Sequence, residues 1–215
     1  MAEIRHSESP HEEFLSTVSH GVGAIASVIA MVFMLLVASD HGDPWRIAAA
    51  LVFGTALTGV FTSSTLYHAM PAGGWKDALQ TVDHIMIFGL IAGTYTPFTL
   101  VMLDGWVAWT MLGVQWTLAT IGVTLKLSYG PMKYRYEQLA LMIVMGWSAL
   151  FILYPLASTL SVWGTTWVVL GGVMYSVGVV FYLVERIPLN HFWWHLFVMG
   201  GAGCHVTAIA GHVLP

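Results

Sequence analysis

Seven runs of apolar residues fill this chain, and almost nothing separates them. They fall roughly at 17–38, 46–68, 81–103, 106–126, 138–158, 161–184 and 190–213. A helix needs about 20 apolar residues to cross the hydrocarbon core of a bilayer. There, with no water to satisfy the backbone, only helices and closed barrels can span. A barrel needs polar and apolar residues in alternation, and that pattern is absent. The composition agrees: 57% of residues are hydrophobic and 8% charged, whereas soluble domains carry about 25% charged residues. Mean hydropathy is +0.76. The expected fold is an all-α, seven-helix transmembrane bundle.

The connections are short and punctuated by Gly, Pro and Asp, as in "SDHGDPW" and "LDGW". No linker divides the chain. The domain reading is a polar tail over residues 1–15 and one transmembrane domain over 16–215. The tail, "MAEIRHSESPHEEFL", lacks the basic start and apolar core of a cleavable signal peptide. A single cysteine, Cys204, excludes an internal disulfide and a cysteine-rich zinc site. A net charge of −4 argues against nucleic acid as a partner.

Lysine and arginine set the expected direction. With seven spans, the N-terminus and the loops after spans 2, 4 and 6 share one side. That side holds Arg5, Lys76, Lys126, Lys133, Arg135 and Arg186, and the other holds only Arg46. The positive-inside rule then places the N-terminus in the cytoplasm. In a bacterium the membrane would be the inner one.

Ionisable side chains inside spans are costly and functional by default. Here they converge. His68 ends span 2, Asp83 and His84 open span 3, and His191 and His195 open span 7. The topology brings all of them to one depth on the cytoplasmic side. His191 and His195 are i and i+4, so one helix face presents both, as it does Ser64 and His68 in "SSTLYH". A helix pair of histidines with a third from another helix makes three nitrogen ligands and leaves a position open, the pattern of catalytic zinc. Imidazole suits zinc, and ligand type alone leaves iron, nickel and copper open. A metal there can turn water into a nucleophile at neutral pH. Asp83 would hold that water or take its proton, and Ser64 would orient it or stabilise an oxyanion.

Each of these residues also has a plainer reading. The histidines can be hydrated at the headgroup level. Ser64 can bond its own helix backbone one turn back. Asp83 can cap the start of span 3. His84 faces away from Asp83 and reads as structural. His205 is ten residues beyond His195, about 15 Å deeper along a helix, too far to share an ion. His212 sits at the wet outer end, and His20, at the start of span 1, can line the same cavity as the cluster. Glycines in "GGVMYSVGVV" and "GGAGC" permit close helix contact. Pro97 and Pro155 are expected to kink spans 3 and 5, and Trp45, Trp106 and Trp163 fit an interfacial belt.

Taken together and in order, "EEFLSTVSHGVGA", "SSTLYH", "DHIMIFGLIAGTYTPF", "MGW", "GGVMYSVGVVFY" and "HFWWHLFVMGGAGCH" resemble the hemolysin III family, within the wider progesterone and adipoQ receptor family. The likeness runs from about Glu12 to His212. It implies seven helices around one zinc near the cytoplasmic face, with His68, His191 and His195 as ligands. By the same matching, Asp83 takes the acidic position that holds the metal's water, and Ser64 the family's serine. The family is grouped with alkaline ceramidases as metal-dependent membrane hydrolases, which implies a membrane lipid amide or ester as substrate. Its bacterial members are also linked to lipid homeostasis, and its name to pore-forming cytolysis. Three functions follow: a zinc-dependent lipid hydrolase, a sensor or receptor-like regulator with structural zinc, and a pore. The sequence favours the first, because a conduction path needs polar groups at many depths and these gather at one.

Overall fold

In the computed structural model, which describes residues 9–215, each apolar run is helical. The helices are α1 (Pro10–Asp40), α2 (Pro44–Ala69), α3 (Gly74–Pro97), α4 (Gly105–Tyr129), α5 (Arg135–Trp147), α6 (Leu153–Thr159), α7 (Val162–Leu183) and α8 (Asn190–His212). Four helical stretches are individually long and apolar enough to cross a membrane: α1, α2, α7, and α3 with its extension to Met102. The bent pair α5–α6 makes a fifth. In α4 and α8, Trp, Gln, His and Gly replace part of the aliphatic content of the others.

α1 begins at Pro10, so the stretch read as a tail is helical from that residue on. Ser9 caps it, accepting a hydrogen bond from the Glu12 amide at 3.2 Å, and Pro10 takes the first helical position. The helix is inside-out relative to a soluble protein. Glu12, Ser16, His20 and Ser27 are buried, while Ile25, Ile29 and Leu36 are each more than 60% exposed. An apolar outside and a polar inside fit a helix whose outer solvent is lipid. Trp45, Trp106 and Trp163 are exposed near helix starts, as an interfacial belt requires.

The core centres on α2, whose Phe53, Leu57 and Val60 are buried against Leu90 of α3, Leu156 of α6 and Val198 and Ile209 of α8. α1 packs along α2, and α7 along α8, as the two most extensive pairings. Glycines make the second possible. A Cβ on Gly178 would lie 2.9 Å from Trp194 and Phe197, and one on Gly171 would lie 2.5 Å from the His205 ring.

Both prolines act, in different ways. α3 ends at Pro97 and continues as a π-helical turn over Phe98–Met102. The break expected at Pro155 comes earlier, as a 3-10 turn over Ser148–Phe151 with a 54° bend between the flanking helices. Proline is tolerated in the first turn of a helix, but it offers no N–H to the carbonyl four residues back. Pro155 therefore sits inside the start of α6, and the disruption falls ahead of it.

Two of the basic residues used for direction need comment. Arg5 lies outside the described residues. Lys126 is not a loop charge: it is buried at 4% exposure in the last turn of α4.

Candidate metal centre

The C-terminal turn of α2 and the N-terminal turns of α8 meet. There His68, His191 and His195 bring one ring nitrogen each to within 4.8 Å of one another. Their ring centroids are 5.1 Å (68–191), 4.8 Å (68–195) and 4.6 Å (191–195) apart. Tetrahedral zinc with Zn–N bonds of about 2.0–2.1 Å sets its nitrogens about 3.4 Å apart, so the rings close onto an ion by small rotations. The donor chemistry fits as well. His195 and His68 are buried, and His195 Nδ1 has no hydrogen-bond partner among the described residues. A buried polar atom left in that condition is costly unless something binds it. His68 Nδ1 donates to Glu13 Oε2 at 2.8 Å, which leaves the lone pair of that ring on Nε2. A group of three imidazoles so arranged can hold a metal ion.

Ser64 lies one turn before His68 on the same helix and is buried. Asp83 and Lys126 line the same cavity as Ser64. Asp83 is buried in the interior of α3, nine residues past Gly74, and so is not the N-cap of that helix. Ser64, Asp83, His191 and His195 all border one cavity of about 470 Å³. The rest of its wall is largely apolar, with Ile87 and Leu90 of α3, Met142 of α5, Gly172 of α7 and Val198 of α8.

Of the other histidines, His20, His84 and His205 also line that cavity, and His212 does not. His20 lines the cavity and stacks on His195 with centroids 3.6 Å apart and planes 10° from parallel. His84 faces Lys126 Nζ at 3.2 Å, and that ammonium donates to the Pro131 carbonyl at 2.7 Å, so the group ties the α4–α5 turn to α3. His205 borders the same cavity on α8, with Nε2 3.3 Å from the Val168 carbonyl. His212 Nδ1 is 2.9 Å from Ser161 Oγ, at the opposite end of α8.

Sequence reasoning missed Glu12 and Glu13. Glu13 holds His68 through one oxygen and Lys76 Nζ through the other, both at 2.8 Å. Glu12 Oε1 accepts from the His191 amide at 3.1 Å. The signal was present: Ser9-Pro10-His11-Glu12 is a helix-start pattern, a cap residue followed three positions later by Glu. It would have put both acids on α1.

An all-helical chain with several membrane-length helices and a buried histidine cluster is a polytopic membrane protein with a candidate metal centre. The family described as "Haemolysin-III related" matches residues 8–206, and the chain belongs to that family. It is 38% identical to "Hemolysin-3 homolog" of Bacillus subtilis (strain 168) over 191 residues, 89% of each chain. It is 37% identical to "Hemolysin-3" of Bacillus cereus over 204 residues, 95% of this chain and 93% of that one. "Monocyte to macrophage differentiation factor" of Homo sapiens is 30% identical over 195 residues, 86% of this chain and 79% of that one.

Proposed function

We propose that this protein is a zinc-dependent hydrolase of a membrane lipid amide or ester, acting within a bacterial inner membrane and affecting its lipid balance. In this reading all seven apolar segments cross the bilayer, the N-terminus is cytoplasmic, and the histidine cluster lies near the cytoplasmic face. One observation carries the proposal. His191 and His195 of the cluster, with Asp83 and Ser64, line an otherwise largely apolar cavity of about 470 Å³, within the usual size range of ligand sites. Apolar walls suit an acyl chain, and the polar residues suit its carbonyl. α5 and α7 both line the cavity, and a lipid would enter laterally between them.

Zinc held by three imidazoles would lower the pKa of bound water and polarise a carbonyl. The chain's own residues do the rest. Asp83 accepts the proton from the attacking water and returns it to the leaving amine or alkoxide. Ser64 donates a hydrogen bond from its hydroxyl to the carbonyl oxygen as charge develops there and keeps its proton. The cavity wall holds the chain and keeps bulk water away. His68, His191 and His195 bind the metal and take no part in proton transfer.

The test compares wild type, H191A and D83N in detergent, measuring metal by elemental analysis and lipid cleavage by product release. The expected result is about one zinc per chain in wild type and D83N, loss of zinc in H191A, and turnover in wild type alone. Turnover by zinc-free H191A would overturn the hydrolase reading. Zinc in wild type with no turnover across amide and ester lipids would favour structural zinc in a regulator. Dye release from vesicles that survives in H191A would favour the cytolysin reading.

A further inference from the structure

The first turns of α1 face the histidine cluster, and two acids there hydrogen-bond two of the three histidines. Glu13 Oε2 accepts from His68 Nδ1 at 2.8 Å. Glu12 Oε1 accepts from the backbone amide of His191 at 3.1 Å. Ser16 sits one turn after Glu12 on the same face of α1, and His20 one turn further; all three are buried. His20 completes the row by stacking on His195.

We propose that this face of α1 is the outer support of the metal centre, with Glu13 the positioning residue that sets how tightly the centre holds its ion. The inference rests on the metal-binding reading above. An ionised carboxylate only accepts hydrogen bonds. Glu13 therefore fixes His68 with its proton on Nδ1 and its lone pair on Nε2, and fixes the ring plane as well. A carboxylate behind a ligating imidazole also makes it a stronger donor. Lys76 holds the carboxylate in turn. Its Nζ is 2.8 Å from Glu13 Oε1 and donates to the carbonyls of Tyr67 and Met70, each at 3.2 Å. Glu13 is thus clamped between the start of α3 and the end of α2, with little freedom to leave His68.

Glu12 acts on the other ligand helix. α8 begins after Leu189, which is in the left-handed region at φ 56° and supplies no side-chain cap. Its first-turn amides need acceptors from elsewhere. Glu12 supplies one at His191 itself, from a helix 179 positions away in sequence. The negative charge also suits the positive end of the α8 dipole. Two adjacent acids therefore fix the two ligand-bearing helices against the same turn of α1, and neither acid is a ligand.

The experiment uses the full chain in detergent. Zinc affinity is measured by competition with a chelator of known affinity, for wild type, E13Q and E13A, with metal-free melting temperatures alongside. E13A should weaken zinc binding by about 10- to 100-fold. E13Q should weaken it less, since the amide oxygen can still accept from Nδ1 without the charge. In metal-free wild type, 15N spectra of histidine, with His68 assigned by its absence in H68A, should report the Nδ1–H tautomer, and E13A should lose it. A folded E13A and E13Q that bind zinc like wild type would overturn the inference and leave the metal centre standing. A wild type that takes up no zinc would overturn both. If E13A does not fold, E13Q affinity and the wild-type tautomer decide, and an Nε2–H tautomer at His68 would sink the proposal.

Discussion

The α7–α8 pair and the α5–α6 segment face each other across the same cavity and are built on opposite plans. α7 and α8 pack along their length through glycines, with Gly164 against His212, Gly171 against His205 and Gly178 against Trp194. No room is left for a Cβ at these points. α5 and α6 are one apolar run broken in the middle, bent by 54° and touching α7 only thinly. Two of the three candidate ligands, His191 and His195, lie on the close-packed side. The broken side supplies cavity wall. A metal site needs ligands held to a fraction of an ångström, and a lipid needs a wall that can part. The division of labour follows from where the glycines and the break fall.

That contrast is most exposed at Gly178. It sits opposite Trp194, which lies between His191 and His195 on α8. G178L should push the two helices apart and cost stability at the upper end of the overpacking range, about 1–3 kcal/mol. It should also weaken zinc binding, because the displaced turn carries two ligands. Thermal unfolding and zinc competition on the purified variant check this. A G178L protein with wild-type melting and wild-type affinity would mean that α7 does not brace α8.

The broken segment has its own fastening. Where α5 ends, the Tyr95 hydroxyl lies 2.8 Å from the carbonyls of Met145 and Gly146, sharing its one proton between them, and Ser148 Oγ donates to the Met145 carbonyl at 2.6 Å. Gln115 Nε2 adds a hydrogen bond to Ser148 Oγ at 2.6 Å. Broken helices survive at membrane depth only when protein satisfies the freed backbone groups in this way. Y95F removes the donor and keeps the ring. The expected loss is about 0.5–1.5 kcal/mol, the value of one net hydrogen bond, since Ser148 Oγ and Gln115 Nε2 still donate to the Met145 carbonyl and the Ser148 amide to that of Gly146. Zinc affinity should be unchanged, because the break is remote from the ligand turns. Reduced affinity in Y95F would dissolve the separation between the two walls.

Much of this was legible in the sequence, and the misses have a common cause. Seven apolar runs became helical segments, and helical spacing put His191 and His195 on one face, where the structure brings His68 to them. A fixed helical period carries that information directly. Glu12 and Glu13 were missed because the start of α1 was drawn where apolarity begins, near residue 17, and a helix can run past the apolar slab with polar residues. Lys126, counted toward the charge bias at the end of its apolar run, is buried in the last turn of α4 with Nζ 3.2 Å from His84. The bend was assigned to Pro155, whereas the physical constraint acts on the carbonyl it leaves unpaired one turn earlier. The pairing of α1 acids with α2 and α8 depends on tertiary contact and has no local signature.

The smallest stability effect is expected one residue from one of the tightest contacts. Gly171 and Gly172 are neighbours on α7 with opposite surroundings. A Cβ on Gly171 meets His205 and the Gly201 carbonyl, while a Cβ on Gly172 meets nothing within 4 Å and Gly172 lines the cavity. G172L should therefore grow into open space. Replacing glycine inside a helix is itself favourable by roughly 0.5–1 kcal/mol, so melting should hold or rise slightly. Zinc content should stay at the wild-type level, since no ligand contact changes. What should fall is the capacity of the cavity: binding of a long-chain lipid amide should weaken, and a short-chain analogue should suffer less. Measured together, melting, zinc and chain-length dependence separate a cavity that receives an acyl chain from one that is only a gap between helices. A G172L protein that handles long and short chains as wild type does would assign the lipid to some other surface and remove the cavity from the proposed reaction.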